Sequence, residues 1–220
     1  MKLHVSSQGK VPNYSAWLNA DMRSWVLQSF GIMESSPEGN KPHPSMPAIT
    51  IIDRGPAPVA RRIINQDMLA AAAAKVGRVQ VVRLQDISFE EQLQLMLSTD
   101  VMIAAHGSAV SMMVFLPPQA VVVEVKAYKH GLTQDFTHGH CNLARATDTS
   151  LLVWHNRQLE HTRRWEGAGV GDPFYKNQHT YIPNADIDLI LDSALQTWHT
   201  PVSVRNFNDV WFLNSAETLS

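Results

Sequence analysis

Histidine, glycine and serine stand together at positions 106–108, where five mostly apolar residues, Val101 to Ala105, come to an end. Five such residues are too few for an ordinary helix, and the His-Gly pair stops them abruptly, which predicts a buried strand running into a tight turn. Ser108 is placed to cap a short helix over Ala109 to Phe115, which Pro117 and Pro118 stop before the β-branched run Val121-Val122-Val123 resumes an extended chain. In open α/β sheets ligands sit at the carboxyl ends of the strands, and free N–H groups at the start of the following helix favour an anion. Gly107 has no side chain to keep a phosphate from the backbone. The chemistry this turn suggests is anion binding.

Two other chemistries are set aside. Ser108 beside His106 lacks the Gly-x-Ser-x-Gly elbow of a serine hydrolase, and a helix cap explains it better. His130, His138, His140 and Cys141 match no closed four-ligand zinc spacing, so no metal is expected. Cys141, the only cysteine, is read as a buried or idle thiol. Met96, Met102, Met112 and Met113 lie in apolar runs and are assigned to the core.

The elements that must position the turn follow from periodicity. From Ser15 to Phe30 the residues Trp17, Leu18, Met22, Trp25, Val26 and Phe30 recur at helical spacing and predict one apolar face. Positions 31–47 are rich in Pro, Gly and Ser without periodicity and read as a linker. Ala48 to Asp53 is a short strand that delivers Arg54 into a Gly-Pro-Ala-Pro loop. Asn65 then caps a helix through Met68 to Lys75 that Gly77 ends.

Val79 to Leu84 is the next strand, and Ser88-Phe89-Glu90-Glu91 is a capping box opening a helix to about Leu97. Beyond the central unit come a helix near Asp135 to Arg145 and a strand over Leu151 to Trp154. A long Gly-, His- and Arg-rich segment then spans 155–183, and a final amphipathic helix runs from Asp186 to Trp198. Strands alternating with helices imply an α/β fold, a parallel sheet with helices on both faces. Loops as long as 155–183 are usually functional or disordered. The stretch Val210 to Leu213 is expected to dock on the core.

Composition narrows the partners. The 220 residues, 45% hydrophobic, can bury one sizeable core. The division expected is a helix and linker over 1–47, the α/β domain over 48–200 and a tail over 201–220. Eighteen basic against twenty acidic residues give a formal charge of −2, which speaks against a general nucleic-acid binder. Any phosphate site must be local. No apolar run reaches the roughly 18 residues needed to span a bilayer, and no signal core or other address is readable.

Several motifs in order resemble one family. They are Arg54, then Arg61-Arg62-Ile63-Ile64-Asn65, then Phe89-Glu90-Glu91-Gln92, then Asp100 followed by His106-Gly107-Ser108-Ala109-Val110, and Phe115-Leu116-Pro117. Glu124, Leu143-Ala144 and Val153-Trp154 also look like family positions. The pattern, covering about Thr50 to Trp198, resembles glycosyltransferase family 61, which includes protein O-GlcNAc transferases and plant xylan glycosyltransferases. Ala109-Val110 replaces the family's usual Gly-Leu, and His140 stands where a family tyrosine is found.

The resemblance implies a Rossmann-like lobe of a GT-B glycosyltransferase. It implies transfer with inversion from a nucleotide-sugar donor, UDP-linked, to a protein or polysaccharide hydroxyl, without a metal cofactor. Relatives act in the Golgi or ER lumen, and an acceptor lobe is expected besides the region seen here. The alternative is a nucleotide-binding remnant that keeps the fold without turnover.

An inverting transfer needs a held donor and positive charge for the departing diphosphate. Arg54 and Arg61 fit, because a guanidinium grips phosphate oxygens with two bonds. Arg62 reads as a solvated neighbour. His106 either donates to the donor or is satisfied by loop carbonyls, and Asn65 is a cap alone or also a donor contact. Glu124 accepts ribose hydroxyls or forms a structural ion pair. The implied donor site is thus Arg54, Arg61, Asn65, His106, Gly107, Ser108, Ala109 and Glu124, with His106 and Arg54 nearest the chemistry.

Overall fold

Three strands are buried along every residue: β2 (Ala48–Ile52), β4 (Val101–Ala105) and β5 (Val121–Lys126). Continuous burial of this kind belongs to central parallel strands covered on both faces. The computed structural model describes residues 2–5, 20–33, 45–55, 61–128, 138–165, 178–201 and 210–213. Its other strands are β1 (Lys2–Val5), β3 (Arg78–Val82), β6 (Ser150–His155), β7 (Thr162–Arg163), β8 (His179–Thr180) and β9 (Val210–Leu213). The helices are α1 (Ala20–Ser29), α2 (Gln66–Ala73), α3 (Phe89–Leu97), α4 (His138–Ala146) and α5 (Asn184–His199).

One seven-stranded sheet has the order β1-β9-β6-β5-β4-β2-β3. From β3 to β9 neighbouring strands run parallel, and β1 closes the edge antiparallel to β9. The expected docking of Val210 to Leu213 is thus a strand pairing, Leu151 to Val210 through Trp154 to Leu213. β3 sits at the other edge, with no residue fully buried. One face of the sheet packs Ile49, Ile103, Val123 and Trp154 with residues of α2 and α5, including Leu69, Ile190 and Trp198. The other packs Met102, Val122 and Val153 with Leu27, Leu93, Met113 and Ala144. Helical cover on both faces is what the strand and helix alternation requires.

Local signals explain most boundaries. Ser88 accepts from the Glu91 N–H at 3.2 Å and Glu91 accepts from the Ser88 N–H at 2.7 Å, which completes the capping box on α3. Asp100 joins β2 to β4 by taking the Ala48 N–H on Oδ2 at 2.8 Å and giving its own N–H to the Ala48 carbonyl at 2.9 Å. Gln92 donates to the Leu84 carbonyl at 2.8 Å, and Phe89 meets Phe115 edge-on.

Three expectations are corrected. On α1, Trp25 is 68% and Phe30 42% exposed, while Leu27 is fully buried. The Arg23 guanidinium, one turn before Leu27, donates to the Leu116 carbonyl and fixes that rotation of the helix. Trp17 and Leu18 lie outside the described residues. After β4 the chain forms a 3₁₀ helix from Ser108 to Phe115 with Gly107, not Ser108, at the cap, and no side-chain cap bond. Asn65 does occupy the cap position of α2, but its side chain makes no cap bond either.

Gly77, in the turn from α2 to β3, lies against Ile49 so closely that a Cβ would fall 2.5 Å from Ile49 Cδ1 and 2.8 Å from the Pro47 carbonyl oxygen. Gly77→Ala is expected to cost about 1–3 kcal/mol by overpacking. Urea unfolding followed by circular dichroism reads this directly, and an unchanged midpoint would show that the turn has room to give.

Candidate functional site

Numbering only the central parallel strands in chain order, the sheet reads 2-1-3-4-5, the doubly wound order whose reversal leaves a crevice beyond the carboxyl ends of the first and third strands. Those strands are β2 and β4. Arg54 follows β2, and His106-Gly107 follows β4. The sheet topology brings together two segments that lie fifty positions apart.

At this crevice the Arg54 guanidinium lies over Gly107: a Cβ built on Gly107 would be 2.6 Å from Arg54 Nη1 and 3.6 Å from Arg61 Nη1. The absent side chain thus admits an arginine before it admits a phosphate, a refinement of the sequence reading. Gly107 also has φ +154° and ψ −171°, backbone that is essentially confined to glycine. Among the described residues neither Arg54 nor Arg61 has a carboxylate partner, and the Nε of each is buried without one. Burial lowers the pKa of both, and for Arg54 the neighbouring Arg61 charge lowers it further. Two half-buried cations side by side, with no counterion among the described residues, favour an anion between them.

Arg61 is held in the left-handed region at φ +62°. A non-glycine residue there costs of order 1–3 kcal/mol and persists only where its surroundings over-determine it. The surroundings are a strap from Gln178 to Ile182. Thr180 N–H donates to the Arg62 carbonyl and Ile64 N–H to the Thr180 carbonyl, each at 2.8 Å, and the Arg62 N–H donates to His179 Nδ1 at 3.1 Å. Asn65 closes the strap, its amide donating to the Ile182 carbonyl at 2.7 Å and accepting the Ile182 N–H at 2.9 Å. Asn65 is therefore held by the Ile182 backbone on both sides of its amide.

Arg62 is no solvated neighbour: it is half-buried and lines a cleft with Arg61, His106, Gln178 and Thr180. Its charge acts on Asp53, which also pairs with Arg83 at 2.7 Å. Ser108 stands exposed at the start of the 3₁₀ helix, and Ala109 packs partly into the core.

Beneath the cleft, Glu124 is 1% exposed, and a single oxygen, Oε1, accepts from the Nδ1 of both His106 and His140, the latter at 2.9 Å. Burial would raise its pKa, but the bonds from His106 and His140, then the Lys126 charge, outweigh that and hold it at about 2. Glu124 is thus a buried carboxylate bonded to two imidazoles, and its Oε2 is buried with no hydrogen-bond partner among the described residues. Burial and then the Glu124 charge push the neighbouring Cys141 thiol up to about 11, so it is inert.

His106, Glu124 and His140 offer three possible metal-ligand atoms within 4.8 Å of one another. Both Nδ1 atoms are bonded to Glu124, on which the Lys126 charge also acts. His130 lies outside the described residues. Sequence reasoning missed the Glu124–His140 pair and the strap, because neither follows a local periodicity.

The family model for glycosyltransferase 61 matches residues 1–123, reaching further towards the N-terminus and ending earlier than the motifs alone suggested. The protein O-linked-mannose beta-1,4-N-acetylglucosaminyltransferase 2 of Tetraodon nigroviridis is 26% identical over 157 residues, 68% of this chain and 27% of that protein. The EGF domain-specific O-linked N-acetylglucosamine transferase of Bos taurus is 32% identical over 133 residues, 59% of this chain and 23% of its own. The beta-1,2-xylosyltransferase XYXT1 of Oryza sativa subsp. japonica is 38% identical over 65 residues, 30% of this chain and 14% of its own. The chain thus spans about a quarter of the length of the first two. Among the described residues no helix is long and apolar enough to cross a membrane.

Asn65→Ala would leave the Ile182 N–H and carbonyl unpaired in a buried site, at a cost of about 2–4 kcal/mol. Its thermal midpoint is expected to fall while nucleotide affinity, measured well below that midpoint, stays near the parent value. Lost affinity in a folded Asn65→Ala protein would return this residue to the donor site.

Proposed function

Because the chain belongs to glycosyltransferase family 61, we propose that its sheet edge holds the donor of an inverting sugar transfer, a UDP-linked sugar, for delivery to a protein or polysaccharide hydroxyl. In that reaction the acceptor hydroxyl gives its proton to a base as its oxygen attacks the anomeric carbon, the bond from that carbon to the diphosphate oxygen breaks, and the nucleoside diphosphate leaves with the electron pair. The charge that develops sits on the departing phosphate. Fixed cations aimed there lower the barrier because they need no reorganisation as the bond breaks.

The observation that carries this reading is the Arg54–Arg61 pair, two guanidinium groups converging on Gly107 with no carboxylate partner among the described residues. Each can grip phosphate oxygens through two N–H bonds. The start of the 3₁₀ helix at Ser108 and Ala109 adds backbone N–H groups at the point where intrahelical partners are lacking. His106, held by Glu124 on the cleft wall, is the third group in reach of the donor. The positive charge comes from side chains, so we propose that donor binding needs no metal.

Calorimetric titration with UDP in the presence of EDTA tests this. Arg54→Ala is expected to weaken binding by about 2 kcal/mol, roughly thirtyfold, and Arg62→Ala by clearly less, since its charge is already opposed by Asp53. Equal losses, or binding that needs added Mn²⁺, would overturn the assignment. Arg61→Gly separates strain from function: glycine relieves the left-handed backbone, so stability to urea is expected to hold or rise while UDP affinity falls roughly tenfold or more.

A further inference from the structure

The backbone amide that joins Arg61 to Arg62 is held by a histidine side chain. The Arg62 N–H donates to Nδ1 of His179 at 3.1 Å, and the direction in which that N–H points is set by the left-handed backbone of Arg61, at φ +62°. The bonds made by Thr180 lie beyond this amide, at the Arg62 carbonyl and the Ile64 N–H. Left-handed backbone at an arginine is unfavourable on the same scale as one hydrogen bond is favourable, so the contact from His179 is matched to the strain it opposes. An imidazole accepts at Nδ1 only while that nitrogen carries no proton, which places the proton of the neutral ring on Nε2. A charged ring has an N–H at both nitrogens, and its Nδ1–H would face the Arg62 N–H. His179 is 8% exposed and stands on β8 opposite Arg163 of β7, so its strand fixes the ring in place.

We propose that His179 is a positioning residue for Arg61 and that it acts only as the neutral ring, so that protonation unlatches Arg61 and loosens the anion site. What Arg61 grips rests on the nucleotide-sugar reading above, whereas the latch rests on the bond to the Arg62 amide. Protonation turns the Nδ1 acceptor into a donor, the Arg62 amide loses its partner, and Arg61 relaxes to ordinary backbone with its guanidinium drawn away from Gly107. The charged and titratable groups on the segments flanking the strap are Arg61 and Arg62 before α2, His161 and Arg163 at β7, His106 on the cleft wall and Asp186 in the first turn of α5. Three of these are arginines, so the neighbourhood favours the neutral ring and the latched state at neutral pH.

Calorimetric titration of the parent, His179→Asn and His179→Leu with UDP over about pH 8 to 5, the range in which histidine changes charge, tests this. Asparagine places an amide oxygen near the Nδ1 position and does not titrate, while leucine supplies no acceptor at any pH. Protonation of the phosphate, of His106 or of His140 affects all three proteins alike, so the difference between parent and variant isolates the His179 ring. At the alkaline end His179→Asn is expected to bind within about threefold of the parent and His179→Leu roughly tenfold more weakly than the parent. Towards the acid end the parent is expected to lose roughly tenfold beyond the loss in His179→Asn. A His179→Asn protein as sensitive to acid as the parent, or a His179→Leu protein that binds like the parent at the alkaline end, overturns the proposal. Nitrogen-15 NMR of the parent is the second measure: the neutral His179 ring carries its proton on Nε2, and the Arg62 amide resonance shifts as that ring titrates. A proton on Nδ1, or an Arg62 amide that does not respond, overturns the latch even where the variants fail to fold. A parent that binds no UDP at any pH overturns the nucleotide reading instead, and the NMR measurement then decides the latch by itself.

Discussion

Two like charges held side by side in a half-buried crevice repel each other and lose hydration, so Arg54 and Arg61 adopt this arrangement only because the backbone leaves them no better one. The constraint on Arg54 is the end of β2 and the absence of a side chain on Gly107, which lets the guanidinium lie where a Cβ would be. The constraint on Arg61 is its left-handed backbone, pinned on either side of Thr180 and locked by the Asn65 amide against Ile182. Both residues, like Gly107, are unfavourable locally and are stabilised by ordinary hydrogen bonding nearby. Backbone strain and unpaired cations meeting at one sheet edge are the signature of a site shaped for something other than stability.

The sheet explains why the crevice lies where it does. Parallel strands feed their carboxyl ends to one edge, and only at the reversal between β2 and β4 do consecutive loops part to opposite faces. The two faces are chemically distinct. On one, Val125 and Ala127 continue an apolar surface into the cleft, and Gln178 closes it. On the other, the alternate residues Glu124 and Lys126 are buried with Cys141 of α4, beside the part-buried His140. Alternation along a single strand therefore places an apolar slot and a buried charge cluster back to back.

Legibility in the sequence followed the range of the interactions. The strand at Val101 to Ala105, the capping box at Ser88 and the alternation of strands and helices are local patterns, and the structure reproduces them. Arg54, Arg61, His106 and Gly107 could be selected because they sit at element ends, and the sheet brings them together. Ser108 was misread as a cap because a serine before an apolar run fits two roles, and the backbone freedom of Gly107 decided between them. On α1 the periodic residues did not reveal which side faces the core, since the deciding contact is Arg23 with a carbonyl more than ninety positions away. His179 and Thr180 were illegible for the same reason, as Arg62 and Ile64, to which they bond, lie more than a hundred positions earlier.

His106 joins the two faces. Its backbone N–H bonds to the Val125 carbonyl at 2.8 Å, its Nδ1 reaches Glu124 on the far side of β5, and its ring borders the cleft. With Glu124 held at about pKa 2, the carboxylate stays ionised throughout the neutral range, and in a buried site its charge is weakly screened. That charge partly balances the cations around it, and it acts on the cleft through His106, because Oε1 is shared between His106 and His140. Through that shared oxygen, His140 of α4 and His106 at the sheet edge are bonded to the same buried carboxylate.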